Sequence, residues 1–229
     1  LGPVKYHNVV ASIKGTKYPD EYVIISGHLD SYDVATGGID CGTGIGPMME
    51  AARMIALSGA KPKRTILFVA FAGEEFGLLG AKSYVKTHAK ELGKIANLFN
   101  RDGGPTPPVG ISVPQAMYDD FVEVCKPVKE IRADYPFEVK VAKPFKRPTQ
   151  SGGTDASVFA VEGVPTFGFN TQDIKGYNFS YGEIWHTERD LYTKNIPEYQ
   201  EHAATVTAVV ALGIANLSKQ LSREGMHKK

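Results

Sequence analysis

Stretches rich in β-branched and apolar residues alternate with stretches of helical periodicity, and that alternation predicts an α/β sandwich. Two segments carry most of the weight. Thr65-Ile-Leu-Phe-Val-Ala-Phe71 is an unbroken apolar run, the pattern of a strand buried on both faces. Near the C-terminus, Tyr199, Ala203, Val206, Val210, Ile214, Leu217 and Leu221 recur at steps of three and four, one helical stripe to lay on a sheet. Asn195 is placed to cap that helix, Pro197 falls in its first turn, and Ser222–Lys229 reads as a frayed basic tail. In open α/β sheets, ligands bind beyond the carboxyl ends of the strands, so polar residues there are the ones to weigh.

A chain of 229 residues fits one large domain over 1–229, able to bury roughly 70–75% of its unfolded surface. Hydrophobic content of 42% and charged content of 22% are ordinary for a globular protein. A net charge of +1 argues against a nucleic-acid or membrane-surface partner. No apolar run approaches the ~20 residues of a transmembrane helix. Two cysteines, Cys41 and Cys125, make no disulfide framework and leave the compartment unread. The first residue is Leu1 rather than Met, which reads as removal of an upstream segment.

In chain order, Tyr6–Lys14 alternates like a strand, and Glu21–Ser26 is a second strand, apolar enough to be central. It runs into Gly27-His28-Leu29-Asp30, where a His two residues before an Asp suits a metal-bound imidazole steadied by a carboxylate, or a structural histidine. The Gly-rich loop Gly37–Gly44 lacks the Gly-Lys-Ser/Thr ending and the Gly spacing of a nucleotide site. Helices are expected over Gly46–Ser58, with Pro47 near the first turn, and over Leu78–His88. Ile95–Asn100 is a short strand ending in Arg101-Asp102, and Pro105–Gly110 reads as loop. Gln115–Val124 looks helical and Phe137–Ala142 extended; the basic stretch Lys126–Arg147 is a solvated surface or a receptor for a substrate carboxylate. A helix over Ala156–Glu162 follows Asp155, and Val164–Phe169 is another strand before Trp185-His186-Thr187.

Glu74-Glu75, just past the apolar strand, is the pair that asks for an explanation. Adjacent ionised carboxylates repel, so they mark either a solvated turn and helix cap or a site that binds metal with one and handles protons with the other. His28, Asp40, Glu74, Glu75, Asp102 and His186 all fall at strand ends or on the loops leaving them. Two imidazoles and several carboxylates suit zinc, or two zincs sharing a carboxylate. No Cys-x-x-Cys and no His-Glu-x-x-His is present, which excludes the usual structural zinc site and the helical metalloprotease motif.

Taken in order, Ser26-Gly-His-Leu-Asp-Ser31, Asp40-Cys-Gly-Thr-Gly44, Glu74-Glu75-x-Gly-Leu-Leu-Gly80, Asp102 and Trp185-His-Thr187 resemble the M28 family of di-zinc exopeptidases, over about Asn8 to Leu221. The phrase Ser-Gly-His-Leu-Asp-Ser and Pro62-Lys-Arg-Thr65 look closest to the plasma glutamate carboxypeptidase branch. The resemblance implies a three-layer α/β/α sandwich around a mixed, mostly parallel sheet, of the zinc-exopeptidase, phosphorylase/hydrolase-like kind. It implies two zinc ions: one on His28, Asp40 and Asp102, the other on Asp40, Glu75 and His186. Asp30 would orient His28, Glu74 would be the general acid/base, and the Asp40–Cys41 peptide would be cis. Substrates would be short peptides or dipeptides, the setting secreted or periplasmic, and a homodimer is compatible with it. The branch carries a protease-associated domain inserted ahead of this region; its absence here reads as a trimmed chain. Cys41 stands where many relatives have a second Asp, as a small buried residue or a thiolate ligand, and Asp155 is either a helix cap or a support behind the site. A single-zinc glutaminyl cyclase and a non-catalytic receptor or scaffold of the same fold are the alternative functions.

Overall fold

The computed structural model describes residues 2–227. Its chain runs β1 (Val9–Ile13), β2 (Tyr18–His28), α1 (Gly42–Leu57), β3 (Arg64–Phe71), α2 (Leu79–Thr87), β4 (Ile95–Asn100), β5 (Pro108–Pro114), α3 (Tyr118–Ile131), β6 (Glu138–Ala142), α4 (Ala156–Val161), β7 (Thr166–Phe167), β8 (Phe169–Thr171), α5 (Tyr181–Ile184) and α6 (Pro197–Asn216). A five-stranded sheet has the order β1-β3-β2-β4-β7 and is parallel except for β1. A three-stranded sheet, β6-β5-β8, stands beside it.

Alternation along the central strands builds the layers. Val23, Ile25, Ile66, Phe68 and Ala70 point to one face, where Met48, Ala51 and Ile55 of α1 and the apolar sides of α3 and α6 cover them. Ile24, Val69, Phe71 and Leu98 point to the other, against Ala81, Tyr84 and Val85 of α2 and Phe159 of α4. The result is helix, sheet, helix, as expected.

Several local expectations change. Residues 108–110 belong to β5 rather than to a loop, and the expected strand over 164–169 divides at Gly168 so that β7 joins the large sheet and β8 the small one. Helix α1 begins at Gly42, which puts Pro47 inside it. A proline at that position leaves the Thr43 carbonyl without its helical donor, and the Arg101 side chain supplies one, Nε donating at 2.8 Å. Asn195 does not cap α6: the cap position is Ile196, and the Asn195 Oδ1 is buried without a partner among the described residues. Helix α6 stops at Asn216, so Leu217 and Leu221 lie beyond it, and burial extends around it to His202, Ala204 and Ala208 because α1 and α3 flank it. The tail up to His227 is packed rather than frayed. Met226 is buried, the His227 N–H donates to the Phe145 carbonyl, and Arg223 donates to the carbonyls of Leu92, Gly93 and Ile95.

Candidate active site

Strand register brings the polar residues together. Strand β2 lies between β3 and β4, all parallel, with His28 opposite Phe71 and Ser26 opposite Asn100. The segments leaving β3 and β4 therefore emerge on either side of His28, and they carry Glu74-Glu75 and Asp102. The loop leaving β2 supplies Asp40, and the segment after α5 supplies His186.

His28 is buried, and its Nδ1–H donates to the Asp30 main-chain carbonyl at 2.9 Å. That bond fixes the ring so that Nε2 faces Asp40 Oδ1 at 2.9 Å and Asp102 Oδ1 at 3.4 Å. Asp30 thus steadies His28 through its backbone; its carboxylate, 3.8 Å from Nδ1, accepts instead the N–H groups of Glu74 and Glu75, each at 3.1 Å. Across the site His186 Nε2 lies 2.8 Å from Glu75 Oε2, while Glu75 Oε1 is buried with no partner among the described residues. Donor atoms of His28, Asp40 and Glu75 lie within 4.8 Å of one another. The five expected metal-ligating residues form one continuous cluster.

Electrostatics reflects the crowding. Burial would depress the His28 pKa, but the carboxylates of Asp102 and Asp40 on its ring outweigh burial and raise it. Asp40 is likewise buried, which opposes ionisation, yet donors on His28 and Tyr181 hold its carboxyl below the ordinary range. Burial, then the nearby Asp40 charge, raises Glu75. Glu74, half-buried beside Asp102, is pushed up to about 8, first by burial and then by that like charge. An excess of carboxylates gathered around two imidazoles is a donor set that a divalent cation would neutralise. The unpartnered Glu75 Oε1 is a ready ligand atom, so the residues fit zinc.

The Asp40–Cys41 peptide is cis, as the resemblance implied. Cys41 is buried, its thiol donating to the Arg101 carbonyl at 3.0 Å, and its sulfur also lies within 4.8 Å of donor atoms on His28 and Asp102. Asp155 is fully buried at the N-cap position of α4, but its side chain makes no capping hydrogen bond; among the described residues neither carboxyl oxygen has a partner, and burial pushes its pKa up to about 7. Two contributors went unread in the sequence. Tyr181 donates its hydroxyl to Asp40 Oδ2 at 2.9 Å, and the buried Asp190 carboxylate accepts the N–H groups of Ile39 at 2.7 Å and Asp40 at 3.2 Å. Their only signal is position: Tyr181 lies with Tyr177 in the stretch before Trp185, and Asp190 follows His186-Thr187 by three residues. The cluster floors a cleft of about 600 Å3, walled by Gly77, Leu78, Lys82, Ser151–Thr154, Tyr181 and Trp185.

The model of peptidase family M28 matches residues 8–210. Carboxypeptidase Q of Rattus norvegicus is 32% identical over 216 residues, 94% of this chain and 43% of that protein. A probable zinc metalloprotease of Pyrenophora teres f. teres is 40% identical over 108 residues, 44% of this chain and 23% of that protein. Among solved structures, a peptidase M28 precursor from Shewanella amazonensis superposes with a TM-score of 0.77 at 32% identity, covering 94% of this chain and 46% of that one. A zinc aminopeptidase from Bacillus subtilis, at 21% identity and a TM-score of 0.69 over 96% of this chain and 53% of that one, shares the fold. The chain spans less than half the length of the carboxypeptidase Q relatives it matches.

Proposed function

Because this chain belongs to peptidase family M28, we propose that it forms a catalytic domain that hydrolyses short peptides or dipeptides as a zinc-dependent exopeptidase. The observation that carries this is the joining of both imidazoles and three carboxylates in one cluster on a cleft floor. His28, Asp40 and Asp102 would hold one zinc, and Asp40, Glu75 and His186 the other, with Asp40 shared. Zinc held there supplies a Lewis acid for the scissile carbonyl and lowers the pKa of a water.

The chain's own residues do the rest. Glu74 lines the cleft beside these ligands, and its raised affinity for protons suits a base that takes a proton from the attacking water and returns it to the leaving amine. Glu75 would not serve equally, because as a zinc ligand its lone pairs would be committed to the metal. Asp30 holds the two glutamates in register through their N–H groups, so the neighbouring carboxylates keep separate tasks. Asp190 fixes the main chain at Ile39 and Asp40, which aims the shared carboxylate.

Metal analysis with an assay of free and blocked dipeptides tests the reading. Two zincs per chain, with hydrolysis lost on chelation and regained with zinc, is expected. One zinc with cyclisation of N-terminal glutamine would make it a glutaminyl cyclase. No bound metal would make it a scaffold.

A further inference from the structure

The two imidazoles of the site are held by different forces. His28 is fixed by the hydrogen bond from its Nδ1–H to the Asp30 carbonyl. Among the described residues no hydrogen bond fixes Nδ1 of His186. Its ring is instead stacked against two aromatics: Tyr32, with centroids 4.2 Å apart and planes within 3°, and Trp185, at 4.2 Å and 30°. His186 also has φ of 59°, in the left-handed region that non-glycine residues occupy only when their surroundings enforce it. Tyr32 is 39% exposed and Trp185 52% exposed, an arrangement that core packing does not account for.

We propose that Tyr32 and Trp185 are positioning residues that clamp the His186 imidazole toward Glu75 and thereby set the affinity of the second zinc site. The inference rests on the two-zinc reading above. A partly exposed histidine samples several rotamers, and that freedom is lost each time the ring takes a metal. A ring stacked against two aromatic side chains has given up the freedom beforehand, so binding costs less. The stack does for His186 what the Asp30 carbonyl does for His28. It also ties the loop after β2, which carries Tyr32, to the segment after α5, which carries His186. The same two segments are joined by the Thr36 hydroxyl donating to the Asp190 carbonyl at 2.8 Å.

Trp185 is the single tryptophan of the chain, so its fluorescence reports on the stack directly. The experiment titrates zinc into chelator-stripped protein, following affinity by chelator competition together with that fluorescence. His186→Ala identifies the second site as the zinc it removes. Trp185→Leu and Tyr32→Leu should weaken that zinc about 10- to 100-fold, the range for groups that orient a metal ligand. The first zinc should be retained, and Trp185→Phe and Tyr32→Phe should restore most of the affinity. In the parent, the fluorescence change should accompany the second equivalent of zinc. Leucine variants that bind both zincs like the parent would overturn the clamp, as would loss of both zincs together with a lowered melting temperature, which would assign the aromatics to folding alone. If His186→Ala costs no zinc, the two-zinc reading itself fails, and the clamp with it.

Discussion

The carboxylate of Asp30 accepts the main-chain N–H of Glu74 at 3.1 Å, so the end of β2 fixes the conformation of the turn that leaves β3. Its other oxygen does the same for Glu75. Asp30→Asn keeps the shape but turns one of these acceptors into a donor facing an N–H. Zinc affinity and kcat/KM should each fall about 10- to 100-fold, with a smaller effect on the melting temperature. Parental zinc affinity and turnover in this variant would mean that the turn holds itself.

Glu74→Gln should bind two zincs like the parent and lose turnover by about 10²–10⁴-fold, chiefly in kcat, because a proton acceptor is removed and no metal ligand is. Glu75→Gln should lose zinc and activity together, with part of the rate regained in excess zinc. Steady-state kinetics paired with metal analysis separates the two. A Glu74→Gln enzyme that turns over normally would place the base elsewhere, and one that loses a zinc would reverse the two assignments.

Asp155 gives the zinc-free chain a pH-dependent stability. Its folded pKa is about 7, above the ordinary 3.8 that it regains on unfolding. Between those values the folded chain holds a proton that the unfolded chain has lost, so this group's contribution to stability falls as pH rises from about 4 to 7. Asp155→Asn carries no such proton. Its melting temperature relative to the parent should therefore climb across that window, being higher at pH 8 than at pH 4.5. Thermal melts of the two chelator-stripped proteins at both pH values check this, and a difference that stays constant with pH would contradict it.

Gly44 sits where the Asp40 loop meets the segment carrying Asp102. A Cβ there would lie 2.1 Å from the Arg101 carbonyl oxygen and 2.5 Å from the Cys41 sulfur. Neither neighbour can give way easily, since one is backbone and the other is buried with its thiol donating to that same Arg101 carbonyl. Gly44→Ala should cost about 1–3 kcal/mol or more in denaturant titration. The first zinc should weaken as Asp40 and Asp102 move apart. Unchanged stability would show that the contact yields.

The layered α/β architecture was legible because alternation of hydrophobic patterns is local: the Thr65–Phe71 run and the Tyr199–Ile214 stripe declare their elements without reference to the rest of the chain. The cluster residues were legible for a related reason, since carboxylates and imidazoles at strand ends are costly unless they have a task. Short or irregular pieces escaped. Strand β5 opens with proline, and the change of sheet at Gly168 has no signature in pattern.

By itself, then, the sequence determined which groups would meet, because strand ends in a parallel sheet share one edge. Only the tertiary structure decided how they are held. The Asp190 carboxylate reaches Asp40 across 150 residues, Tyr181 reaches the same residue across 141, and Tyr32 finds His186 by stacking. Asp30 proved to act on His28 through its carbonyl and on the glutamates through its carboxylate. Such pairings depend on register and on how loops from separate strands pack, and no local pattern encodes them: hydrogen bonds and ring contacts take direction from the fold, whereas hydrophobic burial takes it from composition and period alone.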